Sequence, residues 1–153
     1  MMSMFKGFAS NCMWTYMTGE PFSQEVWDRR LQTAFDSSQP LTEKATLLTI
    51  GWQSAAPPAR ARQQLAARLA SSEQYLRAIA GSAMVFDSKI ARGTLTAINW
   101  IARKPYPEKV FGHLDEALAW LSRLTPAFAA PIVWRSIIDT VPRELLRIHY
   151  SGR

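Results

Sequence analysis

The chain has 153 residues, 48% hydrophobic and 20% charged, with 7 glycines and 9 prolines, a globular composition that fits one domain and excludes disordered and collagen-like classes. Lys and Arg outnumber Asp and Glu by 18 to 12, giving a formal net charge of +6 and a pI of about 9.9; this favours an acidic partner without naming one. Cys12 is the only cysteine, so an internal disulfide framework and a cysteine-based zinc cluster are excluded and a reducing, cytoplasmic setting is expected.

Met4 to Ala9 and Cys12 to Thr18 are rich in aromatic and sulfur side chains, with Ser10 and Asn11 between them as turn residues, which predicts a hairpin ended by Gly19. Asn11, Thr15 and Thr18 interrupt this stretch, so it reads as strand and not as a secretory signal. From Ser23 the period changes: Val26, Trp27, Leu31, Ala34 and Phe35 recur at helical spacing, predicting an amphipathic helix that stops before Ser37, Ser38 and Pro40. Ala45 to Trp52 is short and mostly apolar, as a strand covered on both faces should be. The longest charge-free run, Ala45 to Ala59, includes Gln53, Pro57 and Pro58 and falls short of the roughly 18 apolar residues of a membrane span.

Pro57 and Pro58 stand ahead of a second helix, with Ala61, Leu65 and Leu69 on one face and an end near Leu76. Ile79 to Phe86 is another apolar strand, and Asp87 and Ser88 are suited to cap a third helix carrying Ile90, Leu95, Ile98 and Ile101 on its buried side. Pro105 and Pro107 end that helix. Lys109 to Gly112 is a very short strand, followed by a helix capped by Asp115 with Leu118, Leu121 and Trp120 turned inward.

Alternation of strand and helix predicts an α/β fold, with a sheet of four to five strands, mainly parallel but mixed, flanked by helices joined through right-handed crossovers. This unit spans 1–124. Residues 125–153 read as a C-terminal helical extension in which Phe128, Ile132, Val133, Trp134, Ile137 and Ile138 are apolar and Pro131 breaks any earlier helix. Two fates are open to it: folding back over its own sheet, or docking through Phe128, Ile132, Trp134 and Ile138 on a second copy or another protein. The methionines near the start suggest either core filling or an adaptable contact surface.

Three stretches together resemble the STAS-like superfamily, the fold of the anti-sigma factor antagonists and of the cytoplasmic domains of sulfate transporters. They are Met17-Thr18-Gly19 with Pro21, Phe22 and the helix at Trp27; Ala83 to Ser88 running into Ile90-Ala91-Arg92-Gly93; and Pro107 to Leu121. The resemblance implies a four- or five-stranded sheet packed by helices and a role in reversible protein–protein binding, switched in many members by phosphorylation of a serine at a helix start. Where the family has an Asp-Ser-Ser-Gly type of motif, this chain has Gly51-Trp52-Gln53-Ser54-Ala55-Ala56, and Asp87-Ser88 echoes that motif one strand later.

Ser54 lies between a strand and a helix, where an added phosphate would meet the helix N-terminus with Arg60 and Arg62 nearby; an ordinary turn or cap serine is the plainer reading. Ser88 is the second phospho-acceptor candidate, with the same alternative. No acidic residue occurs between Glu43 and Glu73, whereas Lys44, Arg60, Arg62 and Arg68 do. The second helix therefore offers either an anion- or partner-binding edge or a solvated basic face. Aromatic interleaving of the kind that binds single-stranded nucleic acid is missing there, so nucleic acid is not expected. His113 and His149 lie far from metal-ligand spacing, and the nucleophile elbow, the P-loop and the dinucleotide fingerprint have no counterpart. The expectation is a regulatory or adaptor domain that is not an enzyme, needs no cofactor or metal, binds a protein and can form a homodimer. A small anionic or lipid-like ligand in a cleft between helix and sheet is the alternative.

Overall fold

Strands β1 (Ser3–Ala9) and β2 (Cys12–Thr18) form an antiparallel hairpin in register from Ser3↔Thr18 to Ala9↔Cys12. Ser10 and Asn11 at its tip have φ of 51° and 52°, the left-handed pair that lets a two-residue turn follow the twist of the strands. Ser10 is held in this unusual conformation from outside the hairpin. Its hydroxyl donates to the Ala127 carbonyl at 2.8 Å and accepts the Ala129 amide at 2.7 Å. The computed structural model describes residues 3–19, 23–36, 44–54, 58–71, 73–101 and 104–146.

After the hairpin the chain alternates as the sequence predicts. Helix α1 (Gln24–Asp36) leads to β3 (Ala45–Trp52), α2 (Ala59–Ala70) and α3 (Glu73–Arg77) to β4 (Ile79–Phe86), and α4 (Lys89–Ile101) to β5 (Glu108–Phe111). The five strands are ordered β1-β2-β3-β4-β5, and every neighbouring pair after the hairpin is parallel. The fold is therefore α/β with one mixed, mainly parallel sheet. Helices α5 (Leu114–Leu121), α6 (Ala130–Thr140) and α7 (Arg143–Leu146) follow β5.

The two faces of the sheet carry different cores, because successive strand residues point to opposite sides. On one face Trp14, Tyr16, Leu48, Ile50, Ala83, Val85 and Phe111 pack under Leu114, Leu118 and Leu121 of α5 and under Phe128, Val133 and Ile137. Each large side chain buried there is worth roughly 1.5–3 kcal/mol. On the other face Met17 and Phe86 meet Ala91 and Leu95 of α4, with Val26 of α1 alongside. Gly51 stands between Met17 and Phe86 in the register, and a Cβ there would run into the Phe86 ring; the smooth backbone is what lets the ring lie flat on β3. Gly7 does the same for Trp14, whose ring would lie 2.6 Å from an added Cβ.

Some local expectations need correction. The segment after Pro58 is two helices, broken at Ser71, whose hydroxyl turns back to the Arg68 carbonyl at 2.9 Å. α4 buries Ala91 and Leu95, one turn apart, and leaves Ile90 83% exposed, since adjacent helical residues are about 100° apart. The residue preceding α5 is His113, with Asp115 inside its first turn. The side chains of Leu65, Leu69, Ile98 and Ile101 fall outside the described residues. Among the described residues no helix is long and apolar enough to cross a membrane.

The extension packs on its own sheet. Beyond the Ser10 contacts, Trp14 donates its indole N–H to the Ser136 hydroxyl at 3.0 Å and Tyr16 its hydroxyl to the Leu145 carbonyl at 2.8 Å. Residues 128–146 thus share one continuous core with the sheet.

Candidate functional site

The chain beyond the C-terminal ends of β3 and β4 is built from short polar contacts. Gln53, at φ 46°, donates its backbone N–H to the Asp87 carboxylate, 3.3 and 3.4 Å from the two oxygens. Ser88 caps α4, its hydroxyl accepting the Ala91 amide at 3.2 Å, as the sequence predicts. Arg92, one turn on, donates from one guanidinium nitrogen to the Phe86 carbonyl at 2.7 Å and the Asp87 carbonyl at 2.9 Å. This fixes the Arg92 side chain against the end of β4, where it lies 3.4 Å from the point a Cβ on Gly112 would occupy.

From Arg92 an open groove of about 640 Å³ runs along β5. β5 forms its floor through Lys109, Val110 and Phe111; α4 forms one wall through Arg92 and Thr96, and α5 the other through Glu116, Trp120 and Arg123. The aromatic side of the groove is ordered by Phe111 and Trp120, whose ring centroids are 5.7 Å apart at 53°. Lys109 reaches over the Phe111 ring, 5.4 Å from its centroid, a weak cation–π contact at an exposed position. At the entrance to the strand Lys104 pairs with Glu108 at 2.5 Å, the two side chains only 18% and 6% exposed. That pair pins the start of a strand only four residues long. Among the described lining residues three cations, Arg92, Lys109 and Arg123, stand against one carboxylate, Glu116, which makes the groove basic.

The serines and arginines singled out from the sequence do not form one site. Ser54 is 7% exposed and its Oγ has no hydrogen-bond partner among the described residues; it sits over Gly51, 2.7 Å from where a Cβ would be. Among the described residues the Ser54 hydroxyl is thus buried at the end of β3. Ser88 is partly exposed. Arg60 is exposed and Arg62 partly so, but residues two apart on a helix point about 200° away from each other, so they do not share a face. Arg68 donates to the Gln32 side chain on α1 at 3.2 Å, joining α2 to α1.

Among the interface candidates Phe128 is 5% exposed and belongs to the core, Trp134 and Ile138 pack partly against it, and Ile132 is 56% exposed. The tie from Ser10 to Ala127 and Ala129 draws the turn that carries Phe128 onto the sheet. His149 lies outside the described residues, and among those described no cluster of three His, Cys, Asp or Glu residues is placed to hold a metal ion. The groove residues Arg92, Lys109, Trp120 and Arg123 were not singled out from the sequence as a site. Each comes from a different element or turn, so no local run of charge marks them; the one signal was a lysine in a short strand between Pro107 and Gly112.

No protein-family model and no curated protein matches the chain. Among solved structures it is similar to an uncharacterized protein of the DUF3478 family from Shewanella loihica PV-4, described as having a SpoIIAA-like fold. The two share 13% identity over 78% of this chain and 93% of that one, with a TM-score of 0.49.

Proposed function

We propose that this chain is a non-catalytic regulatory or adaptor domain that works by binding another protein, and that the groove along β5 is its contact surface. The observation that carries this reading is a basic groove floored by an edge strand, which among the described residues pairs with β4 alone and is walled by a helix on each side. Exposed backbone at a sheet edge invites a partner, and cations around it select an acidic one. Modification of Ser88 offers a switch: a phosphate of charge about −2 at the start of α4 would stand one turn from Arg92 and weaken the pull of the groove on an anionic partner.

The experiment compares pull-downs with the natural chain, with Lys109→Glu combined with Arg123→Glu, and with Arg60→Glu as a control on α2, partners being identified by mass spectrometry. Recovery of the same protein by the natural chain and the control, and its loss with the groove variant, is the expected result. Equal recovery by all three rules the groove out as the contact surface.

A second reading, a small anionic or lipid-like ligand held between helix and sheet, is favoured by the same cations, because the groove lies between α4 and β5. It lies beside Arg92, away from Arg60 and Arg62. Native mass spectrometry of the purified chain tests it: a co-purifying small molecule lost with the Lys109/Arg123 double substitution would supersede the protein-binding reading.

A further inference from the structure

We infer that the groove binds its partner by strand addition: an extended, acidic segment of another protein pairs with the outer edge of β5 as a sixth strand. This rests on the reading of the groove as a protein-contact surface and specifies how the contact is made.

The phase of the ladder identifies the groups that would pair. Ser82 donates its amide to the Pro107 carbonyl at 2.9 Å, and the backbone groups of successive strand residues point alternately to the two sides. Pro107, Lys109 and Phe111 therefore turn their backbone towards β4, whereas Val110 turns its N–H and C=O outward into the groove. Strand pairing would satisfy both groups, and main-chain bonds of this kind supply affinity while flanking side chains supply selectivity.

The walls say what the segment is made of. Among the described residues that line it are three cations, Arg92, Lys109 and Arg123, and one carboxylate, Glu116, so an acidic segment gains from complementarity. A second copy of this chain would instead bring the same three cations against each other. Gly93 adds an independent sign on the α4 wall. It stands inside a helix, where glycine is less favourable than alanine, yet among the described residues no atom outside its chain neighbours and the backbone of its own helix lies within 4 Å of the place its Cβ would occupy. Among the described residues no close packing requires a glycine there; a side chain entering from the groove would use that space.

The test titrates the full ¹⁵N-labelled chain with a synthetic peptide of about eight alternating glutamate and valine residues, long enough to cover a strand. Parallel arms use the same peptide with alternate backbone nitrogens methylated, a lysine–valine peptide, and free glutamate with inorganic phosphate. Strand addition predicts saturable shifts at the Val110 amide, with binding at least about tenfold weaker for the methylated and the lysine peptides, a difference of about 1.4 kcal/mol. Val110→Pro removes the outward N–H at an edge position where proline is tolerated, and is expected to weaken binding by a similar factor while β4 and β5 stay paired, as judged by the amide spectrum. Should that variant fail to fold, the methylated peptide carries the same comparison on the natural chain.

Equal binding of the methylated peptide, equal shifts from free glutamate or phosphate, or no shift at millimolar peptide overturns strand addition. A partner lost on Lys109→Glu with Arg123→Glu but bound equally by Val110→Pro leaves the groove as a contact surface and removes only the strand. A partner indifferent to all these substitutions removes both.

Discussion

Trp14 and Ser136 are joined by a 3.0 Å hydrogen bond from the indole N–H to the hydroxyl, across 122 positions of sequence. The ring itself is fully buried on the sheet beneath α6, so its N–H has no water to turn to if the hydroxyl is removed. Ser136→Ala should therefore lower stability by about 1–3 kcal/mol, the cost of leaving a buried donor unpaired, and lower Tm by roughly 2–4 °C per kcal/mol for a chain of this size. Trp14→Phe combined with Ser136→Ala should cost less than the two single changes added together, because no orphaned donor remains. Urea unfolding of the four proteins measures the coupling; a Ser136→Ala variant as stable as the natural chain would show that the bond contributes nothing.

Cys12 begins β2 directly after the hairpin tip and is completely buried. Burial pushes its thiol up from the ordinary 9.0 to about 12, while the nearby Thr46 hydroxyl works against the rise. A group whose folded value is raised keeps the native state protonated where the unfolded chain has already lost its proton. The stability this contributes is fully present below about 9 and is lost as pH rises towards about 12. Cys12→Ala should accordingly flatten the alkaline limb of the stability–pH curve, and the native thiol should react with a disulfide reagent far more slowly at mildly alkaline pH than the unfolded chain does. Rapid labelling of the folded protein would contradict the buried placement.

What the sequence made legible follows from how local each signal is. β3 and β4 run over Ala45–Trp52 and Ile79–Phe86 as expected, because strands covered on both faces are unbroken apolar runs that neighbouring helices do not imitate. The buried face of α4 was misread at Ile90, where a large side chain outweighed the small Ala91 that in fact faces the core. Helical angle decides burial there, and residue size misleads. The extension is a harder case: its apolar residues divide between the core, at Val133 and Ile137, and the surface, at Ile132. The division is set by partners in the β1–β2 hairpin, Ser10 at its tip and Trp14 on β2, more than a hundred positions away, which periodicity cannot convey. The groove was illegible for the same reason, since Arg92, Lys109 and Arg123 meet only once β5 is laid between α4 and α5.

Ser54 and Ser88 invite opposite predictions. Ser88 satisfies an amide of the first turn of α4, so Ser88→Ala should cost about 1 kcal/mol, the usual value of an N-cap. Ser54 carries a buried hydroxyl that finds no partner among the described residues, and Ser54→Ala should leave stability unchanged or raise it by up to about 1 kcal/mol. Ser54→Asp, by contrast, would place a carboxylate at a buried position beside Gly51 and should lose roughly 3 kcal/mol or more. Denaturant titration separates the three; an Asp variant as stable as the natural chain would mean that Ser54 reaches water after all.

Gly93 offers a test of whether α4 was shaped for the chain alone. Among the described residues an added methyl meets no atom within 4 Å beyond its chain neighbours and its own helix backbone, the residue has an ordinary helical position between Lys89 and Ile101, and alanine restricts the unfolded backbone more than glycine does. Gly93→Ala should therefore stabilise the chain by about 0.5–1 kcal/mol, visible as a higher urea midpoint with an unchanged slope. If the same substitution weakens binding of the glutamate–valine peptide, then stability has been given up at this position to keep the α4 wall of the groove open. A destabilised Gly93→Ala variant would instead place a packing demand on the outer face of α4, and the vacancy beside Gly93 would lose its meaning as room for a partner.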